Sequence, residues 1–122
     1  MRMLPNKDFS KYKAVRVVTM DGLKFDSTGE YHRWLYLKEL EKGGEIKDLR
    51  RQVPYVLLPS QKDEEGNVLF REVKYVADFV YTDCKTGKEI VEDFKGIILP
   101  DFKLKQKMMY FFHHIEVKIV KR

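Results

Sequence analysis

Two spacings of apolar residues alternate along this chain. Where they recur every second position they read as strand; where they recur every third or fourth they read as helix. Val15-Arg16-Val17-Val18 and Leu23-Lys24-Phe25 flank Asp21-Gly22, a strong signal for a tight hairpin turn. A helix is predicted from Ser27 onward. Ser27-Thr28-Gly29-Glu30 has the S-x-x-E form of a capping box. Tyr31, Trp34, Leu35, Leu37 and Leu40 follow at roughly helical spacing, and Gly43-Gly44 supplies the stop. Residues 52–59 are an apolar run rich in strand formers, and Asp63-Glu64-Glu65-Gly66-Asn67 is a polar turn. Residues 68–81 read as a strand broken near Arg71, residues 83–87 as a turn, and residues 88–95 as a further strand. Pro100-Asp101 opens a second helix carrying Phe102, Met108, Met109 and Phe112, and residues 115–120 close as a strand. Residues 1–13 read as a basic, poorly packed and flexible arm.

The predicted order is helix, three strands, helix, strand, behind a short hairpin. Hairpin-linked strands followed by a helical crossover predict an α/β fold: a central mixed sheet flanked by helices. The last strand should return through a right-handed crossover.

Composition narrows the class. The 122 residues suit one domain, and 43% hydrophobic with 35% charged residues exclude a disordered chain. No apolar run approaches the roughly 20 residues of a membrane span. The first ten residues lack the apolar core of a secretion signal. The lone Cys84 can form no internal disulfide and has no neighbours at zinc-ligand spacing. A cytoplasmic protein without membrane attachment is expected. The net charge of +5 favours polyanionic partners, though many basic proteins bind none.

Candidate chemistry sits in two strands. Alternation places Val76, Asp78 and Val80 on one face, and Val91, Asp93 and Lys95 on one face of the next strand. An acid in the middle of Tyr75-Val76-Ala77-Asp78-Phe79-Val80-Tyr81 is costly unless paired or metal-bound. If the strands are neighbours, Asp78 and Asp93 face one another. A divalent cation such as Mg²⁺ or Mn²⁺ relieves their repulsion and accepts carboxylate oxygens plus water. Lys95 is then placed to hold an attacking water or stabilise charge on a phosphate oxygen. Metal, water and lysine together describe phosphodiester hydrolysis. The plainer alternative is an Asp78–Lys95 ion pair between strands, with Glu92 and Asp93 as exposed edge charges.

Other polar residues are less specific. His32, His113 and His114 match no common ligand motif, and the last two suit a helix C-terminus. Lys103 and Lys107, four apart, share a helix face that Lys105 does not. With Arg50, Arg51, Lys11 and Lys13 these lysines are candidate contacts to a phosphate backbone, or simply solvated charge.

Asp78 followed by Asp93-Phe94-Lys95 resembles the D…(D/E)-x-K pattern of the restriction-enzyme-like PD-(D/E)XK nucleases. A longer string is similar to a phage family of Holliday-junction-resolvase-like proteins. Its blocks are Asp21-Gly22, Phe25-Asp26-Ser27 with Glu30, Gly44-Glu45-Ile46, Leu49 with Gln52, Ala77-Asp78-Phe79-Val80-Tyr81, and Glu92-Asp93-Phe94-Lys95-Gly96, in order over residues 21–96. The resemblance implies a restriction-endonuclease-like core and a Mg²⁺- or Mn²⁺-dependent endonuclease acting on branched DNA such as Holliday junctions. It implies metal ligation by Asp78, Asp93 and a helix-borne Glu30, whose other reading is the capping-box acid. Gln52 would stand beside the metal and Lys95 would serve the reacting phosphate. A symmetric junction cut implies a homodimer, and the family implies a phage protein in a bacterial host. Two departures stand out. Ala77 occupies a position where the superfamily often has proline. The adjacent Glu92-Asp93 leaves the register open; spacing to Lys95 favours Asp93, and Glu92 then needs a partner. The alternatives are a nicking or repair-type endonuclease on duplex DNA, and a non-catalytic DNA-binding module. An RNA-binding module lacks the aromatic strand pattern for base stacking.

Overall fold

The turn at Asp21-Gly22 forms because Gly22 adopts a left-handed backbone (φ 92°) that a residue with a Cβ resists. It joins β1 (Val17–Val18) to β2 (Lys24–Phe25), paired antiparallel. This is a computed structural model, and it describes residues 15–121; the arm at 1–13, with Lys11 and Lys13, lies outside the described residues. Helix α1 (Thr28–Lys42) starts where predicted: Ser27 is extended, and its hydroxyl accepts from the Glu30 amide at 3.0 Å. Gly43 caps its end and Gly44 turns the chain with φ 77°.

Four strands form the main sheet: β3 (Ile46–Leu58), β6 (Val73–Asp83), β7 (Glu89–Lys95) and β8 (Lys118–Lys121), in the spatial order β3-β6-β7-β8. β3, β6 and β7 are antiparallel; β8 joins β7 in parallel after helix α2 (Pro100–His113). The sheet is therefore mixed, as the pattern predicted. A separate ribbon, β4 (Gln61–Lys62) and β5 (Val68–Phe70), extends the β3–β6 hairpin, and the expected break falls at Arg71-Glu72.

The helices cover opposite faces. Phe79 and Tyr81 pack with Leu37 and Ile46 on the α1 side, and Trp34 stacks on Phe79. Val80 packs with Val91, Phe102, Met109 and Val117 on the α2 side. Neighbouring strand residues point to opposite faces, so these two cores sandwich the sheet. Leu35 and Phe112, expected on the inward helix faces, are exposed.

Two expectations about strand geometry need correction. β3 begins at Ile46, not near Gln52. Asp48 (φ 55°) and Gln52 (φ 51°) both break the regular backbone, so the period of two is interrupted in the sequence although pairing continues. Val76, Asp78 and Val80 do not share a face. Tyr75 and Ala77 lie in the α2-side core, yet so does Val80, while Phe79 and Tyr81 lie on the α1 side. The alternation slips by one residue at Asp78. That position falls opposite the irregular Gln52, between the regular pairs Arg51↔Phe79 and Val53↔Ala77.

Candidate active site

The site grows out of the point where the β6–β7 ladder stops. Regular pairing runs from Thr82↔Glu89 to Phe79↔Glu92. One step further, Asp78 stands across from Asp93. There the Asp78 carboxylate replaces a ladder acceptor: its Oδ2 accepts from the Phe94 amide at 2.8 Å. The side chain thus holds the two strands together beyond the last backbone pair.

Gln52 links this acid to α1. Its Nε2 donates to Asp78 Oδ1 and to Glu30 Oε2, both at 3.4 Å. These are long bonds, weaker than a contact near 2.9 Å. Glu30 itself is almost fully buried. Its Oε1 accepts from the Asp26 amide at 3.0 Å, one residue ahead of the usual capping-box donor. Glu30 thus makes a helix-start contact through one oxygen, while the other turns toward Gln52. It does not line the same cleft as Asp78; it lines an adjoining cavity of about 450 Å³ under the β1–β2 hairpin.

Asp93 is buried on the α2 side. The Tyr75 hydroxyl donates to its Oδ1 at 2.9 Å, and Lys95 Nζ lies 2.9 Å from its Oδ2. The ammonium brings charge to Oδ2 but is not aligned to donate, so Oδ2 remains a buried oxygen without a hydrogen bond. Lys95 also stands 4.5 Å over the Phe102 ring, which fixes its direction. The plain Asp78–Lys95 ion pair does not form; Lys95 pairs with Asp93. Asp78, Asp93, Lys95, Tyr75 and Gln52 all face an open cleft of about 430 Å³.

The electrostatics are those of crowded acids. Burial, and then the charges of Asp93 and Glu30, push the Asp78 carboxyl up to about 8, despite the Phe94 amide and Lys95 pulling the other way. Burial also raises Glu30 above the ordinary carboxylate range. Burial and Asp93 raise Tyr75 far enough to keep its hydroxyl a proton donor at every working pH.

Oxygen donors of this kind suit a hard divalent cation, and Asp93 Oδ2, buried and without a hydrogen bond, is the unsatisfied oxygen among them, with the Lys95 ammonium 2.9 Å away. The acids do not close into a ready cage: among the described residues no three His, Cys, Asp or Glu side chains meet at metal-holding distances. A cation bound by Asp78 and Asp93 would take most of its remaining ligands from water or substrate oxygens.

Glu92 found the partner it required. It is fully buried on the α1 side and accepts from Arg33 Nε at 2.7 Å, from Arg33 Nη2 at 3.0 Å and from the Tyr81 hydroxyl at 2.6 Å. The Arg33 guanidinium is raised chiefly by that bond to Glu92. Gly29 completes the contact between α1 and β7: a Cβ there would meet the Phe94 ring at 2.6 Å, so glycine allows the helix start to lie this close. Arg33 and Tyr75 were not singled out in the sequence. Arg33 had a signal, a cation three residues after Glu30 on the stripe that leads to Leu37. Tyr75 had none, because the slip at Asp78 hides which face it occupies.

The basic candidates are scattered. Arg50 pairs with exposed Glu89 at 3.0 Å. Arg51 stacks 3.9 Å from the Phe25 ring and donates to the Lys24 carbonyl at 2.6 Å, so it fastens the hairpin. Lys105 lines the cleft, whereas Lys103 and Lys107 line a separate groove beside Tyr110 and Val117. His113 Nε2 lies 2.8 Å from the Val56 carbonyl, and His114 ends α2 with φ 56°. Cys84 is free and exposed in the β6–β7 turn.

The described chain is thus an α/β protein whose mixed sheet carries an acidic cleft where one antiparallel ladder ends. Residues 9–122 match the family described as a protein of unknown function (DUF1064), and the chain belongs to that family. No curated protein and no solved structure matches it. Among the described residues no helix is long and apolar enough to cross a membrane.

Proposed function

We propose that this chain is a metal-dependent DNA endonuclease with a restriction-endonuclease-like core. The observation that carries the reading is the meeting of Asp78, Asp93 and Lys95 in one cleft, with Asp78 held near 8 by burial and neighbouring acids. The Asp78 carboxyl so placed keeps its proton near neutral pH until a cation shares the charge. Asp78 and Asp93 would hold Mg²⁺ or Mn²⁺, with Glu30 acting through Gln52. When bound, the metal supplies charge neutralisation at the phosphate and a more acidic water. Tyr75 holds one Asp93 oxygen and leaves the other without a hydrogen bond. Lys95, steadied over Phe102, places its ammonium beside Asp93, where it can meet a phosphate oxygen or orient the water.

The resemblance to junction resolvases points to branched DNA as substrate and to a homodimer, in which two such clefts cut both strands. The setting is the cytoplasm of a bacterial host. A second reading is a module of the same fold that binds DNA without cutting. The 2.9 Å Lys95–Asp93 contact favours it, because that pair partly neutralises Asp93 without metal.

The test is a substrate panel: a synthetic four-way junction, the matched linear duplex and single strand, each with Mg²⁺, Mn²⁺ or chelator. Paired cuts in the junction, lost in chelator, are expected. Cuts confined to plain duplex keep the nuclease and change its substrate. Salt-sensitive binding without cutting of any DNA favours the binding module.

A further inference from the structure

The cleft has a second wall that the acid chemistry does not use. The segment between β7 and α2 runs Gly96-Ile97-Ile98-Leu99, and its apolar side chains divide sharply. Ile98 packs against the α2-side core and anchors the segment. Ile97 and Leu99 on either side line the cleft, 45% and 60% exposed.

Leu99 is placed against helix chemistry. It is the N-cap of α2 and makes no side-chain capping bond. Leucine is among the poorest residues there, and a serine or aspartate would stabilise the helix. Neither burial nor capping accounts for a leucine at this position. Lys74, Lys95 and Lys105 line the same cleft, with the carboxylates of Asp26 and Asp101 also on its wall, so the apolar pair shares the cleft with three cations.

An exposed apolar edge that shares a cleft with lysines, next to the site where a phosphodiester would react, matches a strand whose bases have left the stack. Phosphates would meet the lysines while an unstacked base meets the aliphatic side chains. We infer that Ile97 and Leu99 form a wedge that selects DNA with unstacked bases at the cleavage point. This rests on the nuclease reading and deepens it: the wedge confers the preference for branched over continuous duplex DNA.

The test reads base stacking apart from turnover. A four-way junction carries 2-aminopurine beside the branch point, and a duplex carries it in the same sequence. Both are titrated with protein in Ca²⁺ instead of Mg²⁺. The wild type should brighten the junction probe and leave the duplex probe dark. The Ile97→Ser/Leu99→Ser double variant should lose the brightening and bind the junction about tenfold more weakly, with duplex affinity unchanged. Serine at position 99 offers a capping hydroxyl, so this variant should fold at least as stably, which a thermal melt verifies. Leu99→Phe, which keeps an apolar edge, should retain the signal. Brightening that survives in the double variant overturns the wedge, as does a wild type that holds the junction with its probe dark. Failure to bind either DNA would remove the nuclease reading and the wedge with it, a result distinct from binding without unstacking.

Discussion

Glu92 and Asp93 are consecutive residues of β7, both almost completely buried, yet their surroundings are opposite. On the α1 side Glu92 receives two bonds from Arg33 and one from Tyr81. Its charge is matched and its geometry satisfied. On the α2 side Asp93 has a single hydrogen bond from Tyr75 to one oxygen, an unaligned lysine at the other, and Asp78 nearby. The first arrangement holds α1 to the sheet. The second is underfilled and crowded with like charge, which lowers stability unless something else binds there. One strand thus separates an acid that builds the fold from an acid that the fold makes available.

The comparison breaks most sharply in activity. Asp93→Asn should cut DNA on the order of a thousandfold more slowly, while its urea midpoint stays at or above that of the wild type. Single-turnover cleavage and an equilibrium melt on the same preparation check both halves. Glu92→Gln should do the reverse. It leaves Arg33 partly buried without its counter-charge and should cost about 3–5 kcal/mol in urea unfolding. Replacing Arg33 and Glu92 together by methionine should recover most of that loss, because the unpaired charge disappears.

Smaller effects sharpen the Asp93 side. Tyr75→Phe frees Asp93 Oδ1 and should weaken Mn²⁺ binding roughly tenfold, measured by calorimetry. The pH response follows from Asp78. Its carboxyl titrates near 3.8 ordinarily and at about 8 in the fold. Between those values the folded state holds a proton that the unfolded chain has lost. Metal-free stability should therefore be full below about 3.8 and decline as pH rises through about 8. Asp78→Asn should flatten that slope in thermal melts across the window. Added Mg²⁺ should raise the melting temperature more at the alkaline end, where binding need not displace the proton.

Much of this was legible in the chain. The capping box at Ser27, the turns at Asp21-Gly22 and residues 63–67, and the break near Arg71 rest on local chemistry, and each appears where that chemistry puts it. The meeting of Asp78 with Asp93 and Lys95 was readable because a short turn joins β6 to β7, although the face assigned to Asp78 by alternation was not. What lay hidden depends on distant pairs. Asp48 and Gln52 break the period of two in β3, so its first half did not read as strand. The slip at Asp78 turned Val80 to the α2 side and disguised Tyr75. Arg33 meets Glu92 across 59 positions, a separation that no local pattern reports, although an unpartnered Glu92 called for such a residue.

The most direct measurement places Asp93→Asn, Glu92→Gln and wild type side by side in one junction-cleavage assay with Mg²⁺, with folding verified by circular dichroism. We expect the wild type to cut and folded Asp93→Asn to cut on the order of a thousandfold more slowly. Glu92→Gln should cut in proportion to the fraction that remains folded. Cleavage by Asp93→Asn at the wild-type rate would contradict the account, because the acid left available in the cleft would then have no part in the chemistry.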